Sequence, residues 1–260
     1  MPKKPGSRPA ARDEKLSYLS RVFGLLQFLA ERHDGGTRIP EICERMGVHR
    51  VTAHRLLRTL IALGYAEQSP DLSYRLGFEA WFLGFKATRQ FVPNSIAAAM
   101  RRISEASEES VFLMRRAGNE GICIGEHQGT YPVRSTVMRV GVRRSLGIGG
   151  TGVAILAGLP PEEAERLILQ NASDYARYAI TADNVRKFVA EARDQGYAYS
   201  HGIVVAESRT LAVPLPLSQD GAAMMSMSIV TLESRLSGPR RATLVKLLQT
   251  EAASLCATRT

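Results

Sequence analysis

Cysteine is scarce in this sequence: Cys43, Cys123 and Cys256 are the three in 260 residues. They lie far apart, in no CxxC or Cys/His cluster, which suits a reducing compartment and argues against a disulfide framework or a zinc site. No run approaches the roughly 18 apolar residues that a membrane span requires. The basic N-terminus MPKKPGSRPAARDEK has no apolar segment, so it does not read as a secretory signal. A cytoplasmic chain with no membrane partner is the expectation. Catalytic signatures are missing as well, with neither G-x-S-x-G nor HExxH in the sequence. The histidines (His33, His49, His54, His127, His201) are scattered, and Ser200-His201 are chain neighbours whose side chains rarely face each other. No metal and no cofactor is expected. The most telling gap is acidic: from Arg45 to Ala66 there is no Asp or Glu at all.

Within that gap lies the stretch RIPEICERMGVHRVTAHRLLRTLIAL, residues 38–63. Ile39, Ile42 and Met46 follow the spacing of a buried helical stripe, and Gly47 stops the helix because glycine reaches left-handed dihedrals without a steric penalty. A second helix buries Ala53, Leu56, Leu57 and Leu60. Its opposite face carries Val51, Arg55 and Arg58, flanked by Thr52 and His54. Two helices, a glycine turn and a base-rich second helix fit a helix-turn-helix; the alternative on this stretch alone is a helical hairpin with a solvated charged face. The sequel GYAEQSPDLSYRLG favours the former. Two short β-like runs, 65–68 and 73–76, flank a Ser-Pro-Asp turn and so form a wing. Double-stranded DNA is the expected ligand. Arg50, Val51, Thr52, His54 and Arg55 are expected in the major groove, and Arg38, His49 and Arg58 complete the candidate contact set.

The charge distribution agrees. The net charge is +9. Residues 1–75 hold 13 Lys and Arg against 8 Asp and Glu (+5), while the other 185 hold 21 against 17 (+4), so positive charge is denser where phosphates would be met.

Along the chain, residues 1–14 read as a disordered basic arm. Residues 16–31 form a first helix with Leu19, Val22, Phe23, Leu26 and Leu29 as its apolar stripe, ended by Asp34-Gly35-Gly36. The winged helix-turn-helix spans 15–77. A linker helix follows over 78–92, too apolar for a solvated tether; Trp81, Phe82 and Phe85 are expected to bury themselves against a second subunit. Pro93 marks the boundary of a domain over 93–260. There the pattern gives a helix at 95–107 and strands at 111–115, 122–128 and 131–142. Helices follow at 153–157, 160–169 and 182–195, then strands at 211–217 and 222–230 around a turn at 218–221. A terminal helix begins after Gly238-Pro239. This mixture is α+β with a mostly antiparallel sheet.

These residues together resemble the IclR family of bacterial transcriptional regulators. The resemblance rests on GVHRVTAHRLLRTLIALGY, the apolar linker helix, GIGGTGVAILAG, and RDQGYA…ESRTLAVPLPL…DGAAMMSMSIV in family order over about 240 residues. It implies a winged helix domain followed by a GAF-like, or profilin-like, effector domain. It implies homodimers, often paired into tetramers, on a pseudo-palindromic operator, with small organic acids (aromatic ones included) as effectors. Two departures stand out: Val51 replaces a small polar residue, and 199–206 reads YSHGIVVA without the acidic residues many members place there.

Gly147, Gly149 and Gly152 satisfy GxGxxG, but a Glu-rich helix follows where the dinucleotide mechanism needs a second parallel strand. The remaining readings are close helix–sheet packing or an anion site. Gly149, Gly150, Thr151 and Gly152 would offer backbone N–H groups at a helix start, where the dipole favours an anion. The resemblance places Ser200, Thr210 and Ser228 opposite, where hydroxyls orient a small ligand. Met138, Leu146 and Met227 are candidates for the apolar wall. Val230 stands where some members have a second serine, which makes the expected pocket more apolar. A regulator whose second domain only oligomerises, and an enzyme acting on a small molecule, are the competing readings.

Overall fold

The computed structural model describes residues 11–32, 35–132, 138–216 and 224–257, with side chains described from Tyr18 onward and those of 88–91 set aside. Two compact units divide between Thr88 and Arg89.

The first unit contains α1 (Ala11–Glu31), α2 (Ile39–Met46), α3 (Arg50–Ala62), β1 (Ala66–Gln68), β2 (Tyr74–Leu76) and most of α4 (Phe78–Phe91). Helix α1 begins at Ala11, so residues 11–14 of the expected arm are helical; residues 1–10 lie outside the described ones. Its buried stripe also differs from the expected one. Leu25, Phe28 and Leu29 enter the core, with Val22 and Leu26 partly buried, while Leu19 and Phe23 are exposed. The helix is apolar on two sides, so periodicity alone could not say which side meets α2 and α3. Asp34 is outside the described residues, and the helix has ended by Glu31. Gly47 closes α2 at φ 60°, with its N–H and that of Val48 donating to the carbonyls of Glu44 and Cys43. Ile39, Ile42, Ala53, Leu56, Leu57 and Leu60 bury themselves under α1 and the antiparallel β1–β2 pair. Thr37 joins that pair as a bridge to Tyr74, bonding N–H to carbonyl in both directions at 2.8 Å.

The second unit opens with α5 (Asn94–Ser107), β3 (Ser110–Ala117), β4 (Glu120–His127) and β5 (Arg143–Ser145). The expected strand over 131–142 is not found among its described residues; 133–137 lie outside them, and pairing with β4 starts at Arg143. Helix α6 (Gly149–Ala157) starts four residues earlier than expected, so the glycines form its first turn instead of preceding it. Then come α7 (Pro161–Gln170), the short α8 (Ala172–Tyr175) and α9 (Ala182–Gln195). Strand β6 (Ala198–His201), β7 (Ser208–Leu215), β8 (Met225–Leu232) and α10 (Gly238–Ala257) complete the chain; the turn expected at 218–221 lies outside the described residues. The six strands order as β5-β4-β3-β8-β7-β6, and every described pairing is antiparallel.

Alternation along the strands gives the sheet two apolar faces. Val111, Leu113, Leu211, Val213, Met227 and Ile229 pack on α5 and α10, while Phe112, Met114, Ala212 and Val230 face α6, α7 and α9. A buried polar cluster fixes the turn before α6. Asn171 donates to the carbonyls of Asn119 (2.8 Å) and Leu146 (3.1 Å), and Tyr175 donates its hydroxyl to the Leu146 carbonyl at 2.8 Å. Burial pushes the Tyr175 phenol up to about 12, which keeps it a neutral donor.

Candidate DNA-binding face and ligand cavity

The DNA-facing candidates are held by the packing just described. With Ala53, Leu56, Leu57 and Leu60 turned inward, the other side of α3 must point to solvent. Arg50, Arg55 and Arg58 are exposed, Val51 is 81% exposed, and Thr52 and His54 are half-buried beside them. His49 sits at the helix N-cap with no side-chain cap bond, leaving the positive end of the helix facing outward. Arg50, Arg55 and Arg58 take part in no ion pair among the described residues, whereas Arg38 and Arg75 face Asp71 (3.8 Å) and Glu67 (3.2 Å). Uncompensated charge is therefore concentrated on α3 and not on the wing. At the wing tip, Asp71 accepts hydrogen bonds from the Ser73 hydroxyl (2.7 Å) and N–H (3.2 Å), and these hold its carboxyl below the usual value.

The expected dimerisation residues lie on α4. Trp81 and Phe85 stack with ring centroids 5.3 Å apart, and Phe78 stacks on Phe82 at 6.0 Å. Phe78, Trp81 and Phe85 are each about half or more exposed in the single chain.

In the second unit a cavity opens at the start of α6. Its floor is one row across the sheet, Ser200 paired with Thr210 and Thr210 with Val230. Above the row sit Ile148, Gly149, Gly150 and Thr151. The N-cap residue, Ile148, makes no side-chain cap bond, and the first-turn N–H groups have no intrahelical partner. Arg144 and Met138 form one side; Gly202, Ile203, Val204 and Val205, from the β6–β7 connection, and Ser208 at the start of β7 form the other. That connection is tied at its base, where Gly202 N–H donates to the Ser208 carbonyl (3.0 Å) and Arg209 donates to the Ala206 carbonyl (2.7 Å). The enclosed volume is about 30 Å³, room for a water or two and not for an organic acid.

Of the expected effector residues, Met138, Gly149, Gly150, Thr151, Ser200 and Thr210 come together around this space. Four do not line it. Met227 is on the opposite face, packed among residues beneath α5 and α10, because strand alternation separates it from Ser228. Ser228 is fully buried under α6, where its hydroxyl meets that of Thr151 at 3.4 Å. Leu146 is core, and its carbonyl serves Tyr175 and Asn171. Gly152 has a packing role, since a Cβ there would approach the Gly147 nitrogen at 3.0 Å. Gly150 has both roles: it lines the cavity, and a Cβ there would press on Thr210 and Ser200 at 3.1–3.3 Å. Arg144, Ile148 and the 202–205 segment were not among the expected site residues. Ile148 lies in the glycine-rich segment and directly precedes α6, and 202–205 lie in the stretch 199–206 that departs from the family; Arg144 carries no motif and reaches the site through the sheet order.

Cys123 is fully buried, and burial pushes its thiol up to about 11, so it is not a nucleophile. No group of three or more metal-ligating side chains occurs among the described residues, and none of the described helices is long and apolar enough to cross a membrane.

A winged helix-turn-helix with an uncompensated basic helix, in one chain with a cavity-bearing α+β domain, defines a DNA-binding regulator with a separate effector domain. Comparison with known proteins gives the family. Residues 18–70 match the IclR helix-turn-helix domain, and residues 87–257 match the C-terminal domain of bacterial transcriptional regulators of the IclR type. The chain is similar to the HTH-type transcriptional regulator KdgR of Escherichia coli, 25% identical over 248 residues covering 94% of this chain and 93% of that one. Among solved structures, an IclR transcriptional regulator from Alicyclobacillus acidocaldarius superposes with a TM-score of 0.78 at 25% identity, covering 93% and 98% of the two chains. An IclR homologue from Microbacterium hydrocarbonoxydans, solved in complex with 4-hydroxybenzoate, gives 0.75 at 22% identity, covering 91% and 96%. The chain belongs to the IclR family. It is a transcriptional regulator and not an enzyme.

Proposed function

We propose that this regulator reads a pseudo-palindromic operator through α3 as a homodimer, pairing further into a dimer of dimers, and that a small organic acid bound at the start of α6 modulates its grip. The observation that carries the reading is the cavity itself. Helix N–H groups without an intrahelical partner face hydroxyls of Ser200, Ser208 and Thr210 across an apolar rim, and no acidic side chain lines it among the described residues. A carboxylate is the partner that such a lining favours, and the 4-hydroxybenzoate carried by the Microbacterium homologue is of this class. Exposed rings on α4 support the dimer, since three half-exposed aromatics in one patch are costly unless covered. The space as it stands is too small for an acid, so binding widens it. The cytoplasm, where such a DNA target lies, is the location this reading favours.

The test uses the full chain, an operator selected from random-sequence DNA, and 4-hydroxybenzoate within a panel of small carboxylates. A bound acid is expected to change operator affinity by ~5–150-fold. Thr210→Val, which removes one hydroxyl at nearly constant shape, is expected to weaken acid binding while leaving acid-free operator binding as in the parent. An acid that binds the protein tightly by calorimetry yet leaves operator affinity unchanged would overturn the sensor reading.

A further inference from the structure

One charged side chain in the cavity wall has no counterpart in the expectations drawn from the sequence. Arg144 is the middle residue of β5, and its register partner is Gly121. Partners in an antiparallel pair point to the same face of the sheet. A Cβ at Gly121 would run into Met114 and Leu146, both in the core cluster around α6, so Arg144 is directed to the cavity face. Its neighbour Arg143 goes the other way, exposed and donating to Glu120 at 3.0 Å. Arg144 is half-buried and is the sole ionisable side chain among the described residues that line the cavity. Its charge also reaches inward. At buried Cys123 it opposes the upward push of burial, as the Gly125 carbonyl contact does more strongly, and Glu126 adds to that push.

An arginine in a mostly apolar wall presents a rigid, always-charged fork that matches a carboxylate by two parallel N–H···O bonds. We propose that Arg144 is the residue that reads the effector's charge, holding its carboxylate together with the first-turn N–H groups of α6. The body of the ligand then rests against Ile148, Val204 and Val230. This rests on the acid-sensor reading above and deepens it: selectivity for an acid over its neutral analogue resides in one side chain from the sheet edge, and the hydroxyls of Ser200 and Thr210 set orientation.

The experiment compares benzoate, 4-hydroxybenzoate and pyruvate with their primary amides, by calorimetry, on the full-length parent and on Arg144→Gln, Arg144→Lys and Arg143→Gln. The parent is expected to prefer at least one acid over its amide. Arg144→Gln should lose about ten- to hundredfold in affinity for that acid, the range of a charge-assisted hydrogen bond, with the amide little changed, so that the preference collapses. Arg144→Lys should keep part of it, and Arg143→Gln all of it. An acid-to-amide ratio that survives in Arg144→Gln overturns the assignment and leaves the acid sensor standing. A parent that binds no acid removes both. Should Arg144→Gln not fold, the lysine variant carries the test: it keeps the charge but not the fork, and undiminished acid affinity there overturns the assignment.

Discussion

The exposed face of α3 and the cavity beneath α6 are built by opposite rules. The face is convex and comes from one run of residues, 49–58; what matters is which side chains the core leaves outside. The cavity is concave and draws on residues from 138 to 230, and what matters is how closely backbone can approach backbone. Their tolerance for change differs accordingly. A surface arginine can be replaced without disturbing its neighbours, whereas a methyl group on Gly147, just before α6, would overlap Tyr175 and Val185.

The sharpest way to widen that contrast is Gly147→Ala. Gly147 has φ 102°, and a Cβ there would lie 2.6 Å from the Tyr175 hydroxyl and 2.8 Å from Val185. The combined backbone strain and overpacking are expected to cost the second unit about 3 kcal/mol. Trp81 is the only tryptophan and belongs to the first unit. Its fluorescence transition should therefore hold its temperature while the far-UV signal of the second unit melts earlier. Equal shifts in both signals would show that the two units do not respond separately.

A smaller effect is expected on the exposed face. Arg55→Ala should weaken operator binding by ~1–3 kcal/mol at matched salt if the contact is a bidentate base pairing, with thermal stability unchanged. Val51→Ser, at a position 81% exposed, should alter base preference at one operator position and leave the salt dependence as it was. Binding-site selection on the two proteins checks this, and identical selected sequences would take Val51 out of the readout.

The smallest effect belongs to the wing. The Asp71 carboxyl is held below its usual value first by the Ser73 hydroxyl and then by the Ser73 amide. A depressed folded-state value means that the ionised carboxylate stabilises the fold above the unfolded value, near 3.9, and that this contribution is lost as pH falls through the lower, folded one. Asp71→Ala should thus melt slightly below the parent at pH 6, read by Trp81 fluorescence, with the gap closing toward pH 3. A gap that does not narrow in acid would mean that the tie does not depend on charge.

The two regions also differ in how much of them could be read in advance. The helix-turn-helix was legible because each of its parts is local: the stripe Ile39/Ile42, the stop at Gly47, and the stripe Ala53/Leu56/Leu57/Leu60 lie within about 25 residues. Helical periodicity then assigns the outer face without further information. Helix α1 shows the limit of that method. Its two apolar sides gave no reason to prefer Leu25 and Phe28 over Leu19 and Phe23, and only the presence of α2 and α3 decided. In the second unit the glycines of α6, and the hydroxyls of Ser200 and Thr210, stood out by type and by family resemblance. Their meeting depended on the strand order β8-β7-β6, which places Ser200, Thr210 and Val230 in one row.

The sequence by itself determined a basic, winged DNA-binding unit, an α+β partner domain with an antiparallel sheet, and a glycine-rich segment beside a helix start, though not the residue at which that helix begins. Those follow from short-range periodicity, turn chemistry and the absence of acidic residues between Arg45 and Ala66. The tertiary structure decided which face each strand residue takes, turning Met227 away from the cavity and Arg144 toward it. It also closed the space to about 30 Å³ beneath the 202–205 segment. Facing and closure are set by pairing between strands far apart in sequence, and a one-residue change of register would reverse every assignment.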